Sequence, residues 1–229
     1  MVESGVGLYA VQNLYCVQVV AAYHARMLKV VPKAETATLE KPGQRMRSRL
    51  LDAAAARFKQ FGLADVSVAE IAADAGAFPS QVTYYFGTKE ALFVEAACRE
   101  MLYLARDAEA ASSHPQNEDD YLETMVRSVI GEPGLNLFVE ALALAHRRLD
   151  LQPQVQRTFE RLDGESERAL QEHRARSGLP PASTSVAAHR FWVIALGMGA
   201  RGGASGEAPE FLVQEMLALL GWRKPQRKD

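Results

Sequence analysis

Apolar residues recur at three- and four-residue intervals through almost the whole chain after Gln44, and strand-like alternation is scarce. That spacing predicts an all-α protein. Leu50, Ala54, Phe58 and Phe61 outline a first helix that stops near Gly62, where a missing side chain suits left-handed backbone. Ser67 with Glu70 three residues later reads as a capping box and opens a second helix reaching Ala75, ahead of Gly76. Pro79 starts a short third helix, and Thr88 caps a longer fourth that carries Leu92, Phe93, Ala96, Met101 and Leu104.

Beyond a polar break at Ser112 to Asn117, the acids Glu118, Asp119 and Asp120 complement the positive end of another helix. Gly134 to Leu149 carries Leu135, Phe138, Leu142 and Ala145 on one stripe, and Pro153 to Arg176 carries Val155, Phe159, Leu162 and Ala169. Gly164 favours a bend in the latter, because glycine weakens a helix interior by about 1 kcal/mol relative to alanine. After a loop from Leu179 to Ser185, two last helices run from Val186 to Ala200 and from Pro209 to Leu220. Phe191 to Leu196 is apolar around the full helix circumference, which predicts burial on both sides and hence a partner subunit.

Composition adds three constraints. The 229 residues, 48% hydrophobic, suffice for a real core, and 26 basic against 28 acidic residues rule out a global positive field. Any nucleic-acid surface is therefore local, and Lys41, Arg45, Arg47, Arg49, Arg57 and Lys59, opposed only by Asp52, form the strongest positive run. Cys16 and Cys98 lack paired spacing, so neither a disulfide framework nor a metal knuckle is expected, and a reduced cytoplasmic setting fits. The apolar stretch from Val6 to Tyr23 is interrupted by Gln12, Asn13 and Gln18, without the flanks of a signal or membrane segment; translation starting at Met27 would account for it.

The segment from Ser67 to Phe86 carries the chemistry. Ala72, Gly76 and Val82 have helix-turn-helix spacing: a small residue at the crossing, a glycine for positive φ, and an apolar side chain packing the second helix onto the first. Ile71, Ala75 and Tyr85 extend that buried face, which leaves Pro79, Ser80, Gln81, Thr83 and Tyr84 to meet DNA. The block from Arg47-Ser-Arg-Leu-Leu-Asp-Ala-Ala through Thr83-Tyr-Tyr-Phe-Gly-Thr-Lys-Glu-Ala-Leu92 resembles the DNA-binding domain of TetR-family transcriptional regulators. The resemblance spans roughly one fifth of the chain. It implies that Ser67, Tyr84, Tyr85 and Lys89 touch phosphates, that Ser80, Gln81 and Thr83 approach base edges, and that Arg45, Arg47 and Arg49 form an arm ahead of the first helix. Gln81 is the strongest candidate for direct readout, since glutamine bonds bidentately to adenine. Phe78 departs from the family, standing where a serine cap is common, as does Thr83, where tyrosine is usual.

The expected organisation is an extension over 1–43, a DNA-binding domain over 44–90, and an effector-binding and dimerisation domain over 91–229. The implied function is that of a homodimeric regulator of a double-stranded operator, a repressor released by a small apolar effector, with no cofactor, metal or membrane. An activator or effector-blind regulator is the alternative, and an all-α ligand carrier or enzyme is the alternative of another class. Tyr103, Met125, Phe138, His146, Phe159, His189 and Trp192 combine apolar bulk with polar tips and are the candidate effector contacts. Phe191, Ile194, Met198, Leu212, Met216 and Leu220 are the candidate dimer contacts. Gly197-Met-Gly-Ala-Arg-Gly202 matches a dinucleotide fingerprint, but too little chain follows for a βαβ unit, and glycines at a close subunit crossing explain it better. No catalytic constellation is recognisable.

Overall fold

A computed structural model describes residues 42–111, 118–176 and 185–221. Among them the chain forms helices and no strand: α1 (Pro42–Phe61), α2 (Val68–Asp74), α3 (Pro79–Phe86), α4 (Lys89–Ala111), α5 (Glu118–Val129), α6 (Pro133–Arg147), α7 (Gln152–Arg176), α8 (Ser185–Ser205) and α9 (Pro209–Leu219), with a 3-10 turn at Leu149–Leu151. The fold class is all-α, as the periodicity predicts. Residues 1–41 of the expected 1–43 extension, with Cys16, residues 112–117 of the polar break and residues 179–184 of the expected loop lie outside the described residues, whereas Pro42 and Gly43 belong to α1 and Ser185 to α8. No single helix among those described is long and apolar enough to cross a membrane.

The chain divides into two compact units. One takes the described residues of Pro32–Tyr103 and Pro133–Phe159, and the other those of Leu104–Glu132 and Glu160–Asp229. In the first, Leu50, Ala54 and Phe58 of α1, Ile71 and Ala72 of α2, Val82 of α3 and Leu92, Phe93 and Ala96 of α4 are all buried. Phe58 meets Phe93 edge to face at 5.1 Å, an arrangement that suits the quadrupoles of two aromatic rings. Phe61 ends α1 half out of the core, and Gly62 follows at φ 75° as the left-handed stop.

In the second unit α8 and α9 form a hairpin whose core is Phe191, Trp192, Ala195 and Met198 with Leu212, Val213, Met216 and Leu217. α8 runs through the glycine-rich segment to Ser205 rather than stopping near Ala200. A fingerprint glycine run must follow a strand, and this one lies inside a helix, so a dinucleotide site is excluded. The close crossing is within the chain: a Cβ on Gly202 would stand 2.5 Å from Leu212 Cδ1. Arg127 of α5 forks onto Glu210 of α9, at 2.5 and 2.9 Å, and also bonds Glu123.

Candidate nucleic-acid interface

The interface is built by the loop and helix that follow α2. Ser67 caps α2 through its hydroxyl, which accepts from the Glu70 N–H at 3.2 Å, while Glu70 accepts from the Ser67 N–H at 2.8 Å. Two orphan donors of the helix start are thereby satisfied. Arg57 of α1 clamps the other side of α2, bonding Asp74 at 2.5 and 3.0 Å and Glu70 at 3.3 Å. Hydrogen bonding from Ser67 holds the Glu70 carboxyl below the ordinary carboxylate range, and the bond from Arg57 does the same for Asp74.

After α2 the chain turns at Gly76, φ 59°, a backbone that any side chain would strain. Arg49 of α1 donates to the Ala75 carbonyl, placing a cation at the negative end of α2. α3 then begins at Pro79, with Val82 and Phe86 turned into the core, and with Pro79, Ser80, Thr83 and Tyr84 exposed. Tyr84 is 81% exposed, while Tyr85 is half-buried and edge-on to it at 5.0 Å. A short helix thus offers one polar face on a scaffold locked by Ala72, Gly76 and Val82.

The remaining expected contacts have more specific placements. Gln81 is half-buried, and its Oε1 accepts from the Phe78 N–H at 2.9 Å. Phe78 has no side-chain acceptor, so Gln81 supplies the one side-chain cap of α3 and keeps its amide N–H groups for another partner. Lys89 donates to the carbonyls of Leu63 (2.8 Å) and Val66 (2.9 Å), tying α4 to the loop before α2. The arm expected ahead of the first helix is itself helical: Arg45, Arg47 and Arg49 all lie in α1, because the helix starts at Pro42. Arg45 is exposed, whereas Arg47 pairs with Glu95 at 2.5 Å and lies over the Phe86 ring at 4.9 Å. Lys59 pairs with Glu100 at 2.7 Å, so much of the positive run is neutralised by the protein's own acids.

The effector candidates fall in both units. Phe138 is fully buried against Phe159, ring centroids 5.6 Å apart, Tyr103 lies under Arg99 at 5.4 Å, and His146 is exposed at the end of α6. In the other unit Met125 and Trp192 are buried, Trp192 edge-on to Phe191 at 5.0 Å, and His189 is exposed 3.4 Å from Asp163.

The dimer candidates are mostly enclosed in the single chain. Phe191, Met198, Leu212, Met216 and Leu220 are buried in the single chain, and Ile194 is half-buried. The exposed large apolar side chains of α8 and α9 are Val186, Val193, Phe211 and Leu219, at 64%, 52%, 51% and 54% exposure. Sequence periodicity could not separate these sets, because a helix apolar all round has no polar face to fix its phase. Phe78, 76% exposed at the entrance to α3, is a further large apolar side chain left in solvent.

Two family models match in sequence. Bacterial regulatory proteins of the tetR family match over residues 50–96, and the C-terminal domain of bacterial transcriptional repressors over 118–221. A transcriptional regulator from Rhodococcus sp. RHA1 is 33% identical, with the match covering 78% of this chain and 97% of that one at a TM-score of 0.68. A TetR-family regulator from Mesorhizobium loti MAFF303099 is similar at 22% identity, covering 79% and 98%, with a TM-score of 0.58. Thermus thermophilus FadR, a TetR-family repressor in complex with lauroyl-CoA, is similar at 18% identity, covering 80% and 98%, with a TM-score of 0.53. The last two likenesses concern the fold alone. No curated protein sequence matches the chain.

Proposed function

The chain belongs to the TetR family of bacterial transcriptional regulators, DNA-binding proteins rather than enzymes, and from that premise we propose that it is a homodimeric repressor, released from its operator by a small apolar effector. The observation that carries this reading is the face of α3: Ser80, Thr83 and Tyr84 open to solvent, Gln81 beside them, all held by the buried Val82 and Phe86. Two such helices about one DNA turn apart read a pseudo-palindrome in successive major grooves. Ser67, Tyr84, Tyr85 and Lys89 would meet phosphates, and Lys89 retains one ammonium hydrogen for that after its two carbonyls. Ser80, Gln81 and Thr83 would meet base edges, and Arg45 is an exposed cation of α1.

An effector works only by binding one arrangement of the recognition helices more tightly than the other. An apolar effector is supported by Phe138 and Phe159, an aromatic pair in which Phe159 is only half-buried, and by the fold neighbour that holds lauroyl-CoA. The setting that follows is the cytoplasm, where operator and metabolites meet. DNase footprinting of the full chain on the DNA upstream of its own gene tests the proposal. Protection of two half-sites about 10 base pairs apart is expected, and binding no tighter than to random duplex at physiological salt would refute it.

A further inference from the structure

Phe78 is the least economical residue of the interface. It stands at the N-cap of α3, where a serine, threonine, aspartate or asparagine would bond the helix start, and it contributes no such bond. Its ring is also 76% exposed, so it adds little to the core. A single exposed apolar side chain is ordinary on a protein surface, but one that displaces a favoured cap breaks a local rule twice, and such breaches concentrate at functional positions. Phe78 is moreover well held: its backbone is extended at φ −94° and ψ 148°, its N–H is bonded to Gln81, and rigid Pro79 follows. Ala77, Phe78 and Pro79 make an apolar edge that runs directly into the exposed Ser80, Thr83 and Tyr84.

N-terminal residues of a recognition helix are the ones that reach base edges, and of the four bases only thymine offers an apolar group, its 5-methyl, in the major groove. We propose that Phe78 reads a thymine methyl in each operator half-site, so that an apolar contact from the turn supplements the polar readout by α3. The inference rests on the DNA-binding reading of that face. A serine at 78 would cap the helix better and lose the contact, and leucine would keep an apolar contact.

The test begins with selecting operators for the full-length protein from a random duplex library. Each thymine of the selected sequence is then replaced singly by deoxyuridine, which pairs identically and lacks only the methyl. For the unaltered protein, one position per half-site should weaken binding about fourfold, the factor corresponding to one buried methyl. Phe78→Ser should bind thymine and uracil duplexes alike, and Phe78→Leu should retain some of the difference. Indifference of the unaltered protein to every replacement, or an undiminished methyl effect in Phe78→Ser, overturns the assignment while leaving DNA binding intact. A library that enriches no sequence overturns the assignment together with the DNA-binding reading.

Discussion

Gln81 carries two functions that substitution can separate. Its carbonyl oxygen caps α3 by accepting from the Phe78 N–H, while its amide is the candidate for adenine. Glutamate keeps the acceptor and adds a charge favourable to a helix start, but cannot donate to a base. Gln81→Glu is therefore expected to match the parent in chemical denaturation, whereas Gln81→Ala loses about 1 kcal/mol for the missing cap. Both should lose base discrimination of about 1–3 kcal/mol at one operator position, measured by competition between operator variants. A Gln81→Ala protein of unchanged stability would mean that the cap bond contributes nothing.

The same distinction governs helices. Ser67 with Glu70, and Ala72, Gly76 and Val82, were legible in sequence because each is a short-range rule: a cap, a small crossing residue, a positive φ, a packing contact. The inward and outward sides of α8 and α9 were not legible, since Phe191 and Val193 are equally apolar and only the hairpin tells them apart. Gly202 likewise reads as a close crossing without revealing that Leu212 of the same chain is what crosses it. The ion-paired clamp on α2 was equally hidden, because Arg57 meets Asp74 only through packing of α1 against it. That clamp gives the DNA-binding helices a pH dependence. Arg57 lowers the pKa of Asp74 and Ser67 that of Glu70, so both bind protons less readily folded than unfolded. Their stabilisation is present above the unfolded values, about 4, and disappears as pH falls through the lowered folded ones. The thermal midpoint should drop below about pH 4, and Asp74→Asn should flatten some of that drop; an identical pH profile in the variant would remove the clamp from the explanation.

For the whole molecule, operator recognition by the proposed homodimer depends on how its two copies are joined. Among the described residues Val186, Val193, Phe211 and Leu219 are the large apolar side chains that α8 and α9 leave exposed, and Arg201 lies over the Phe211 ring at 5.7 Å while paired with Glu207 and Glu215. Exposed apolar side chains on a pair of packed helices suit a second copy of the same surface, because a twofold axis brings each patch onto itself. Aspartate at Val193 or Leu219 would bury a charge in that contact while remaining in water in the separate chain. Each variant should therefore keep its helical signal and melt cooperatively, yet sediment as a monomer. Met216→Asp is the contrasting control: Met216 is fully buried in the single chain, so the substitution should unfold the hairpin instead of separating intact chains. Linked half-sites gain about 10²–10⁴ in affinity over a single one, so Val193→Asp and Leu219→Asp should lose operator affinity by a comparable factor with α3 untouched. Variants that remain dimeric would place the subunit contact on another face and leave these side chains without that role.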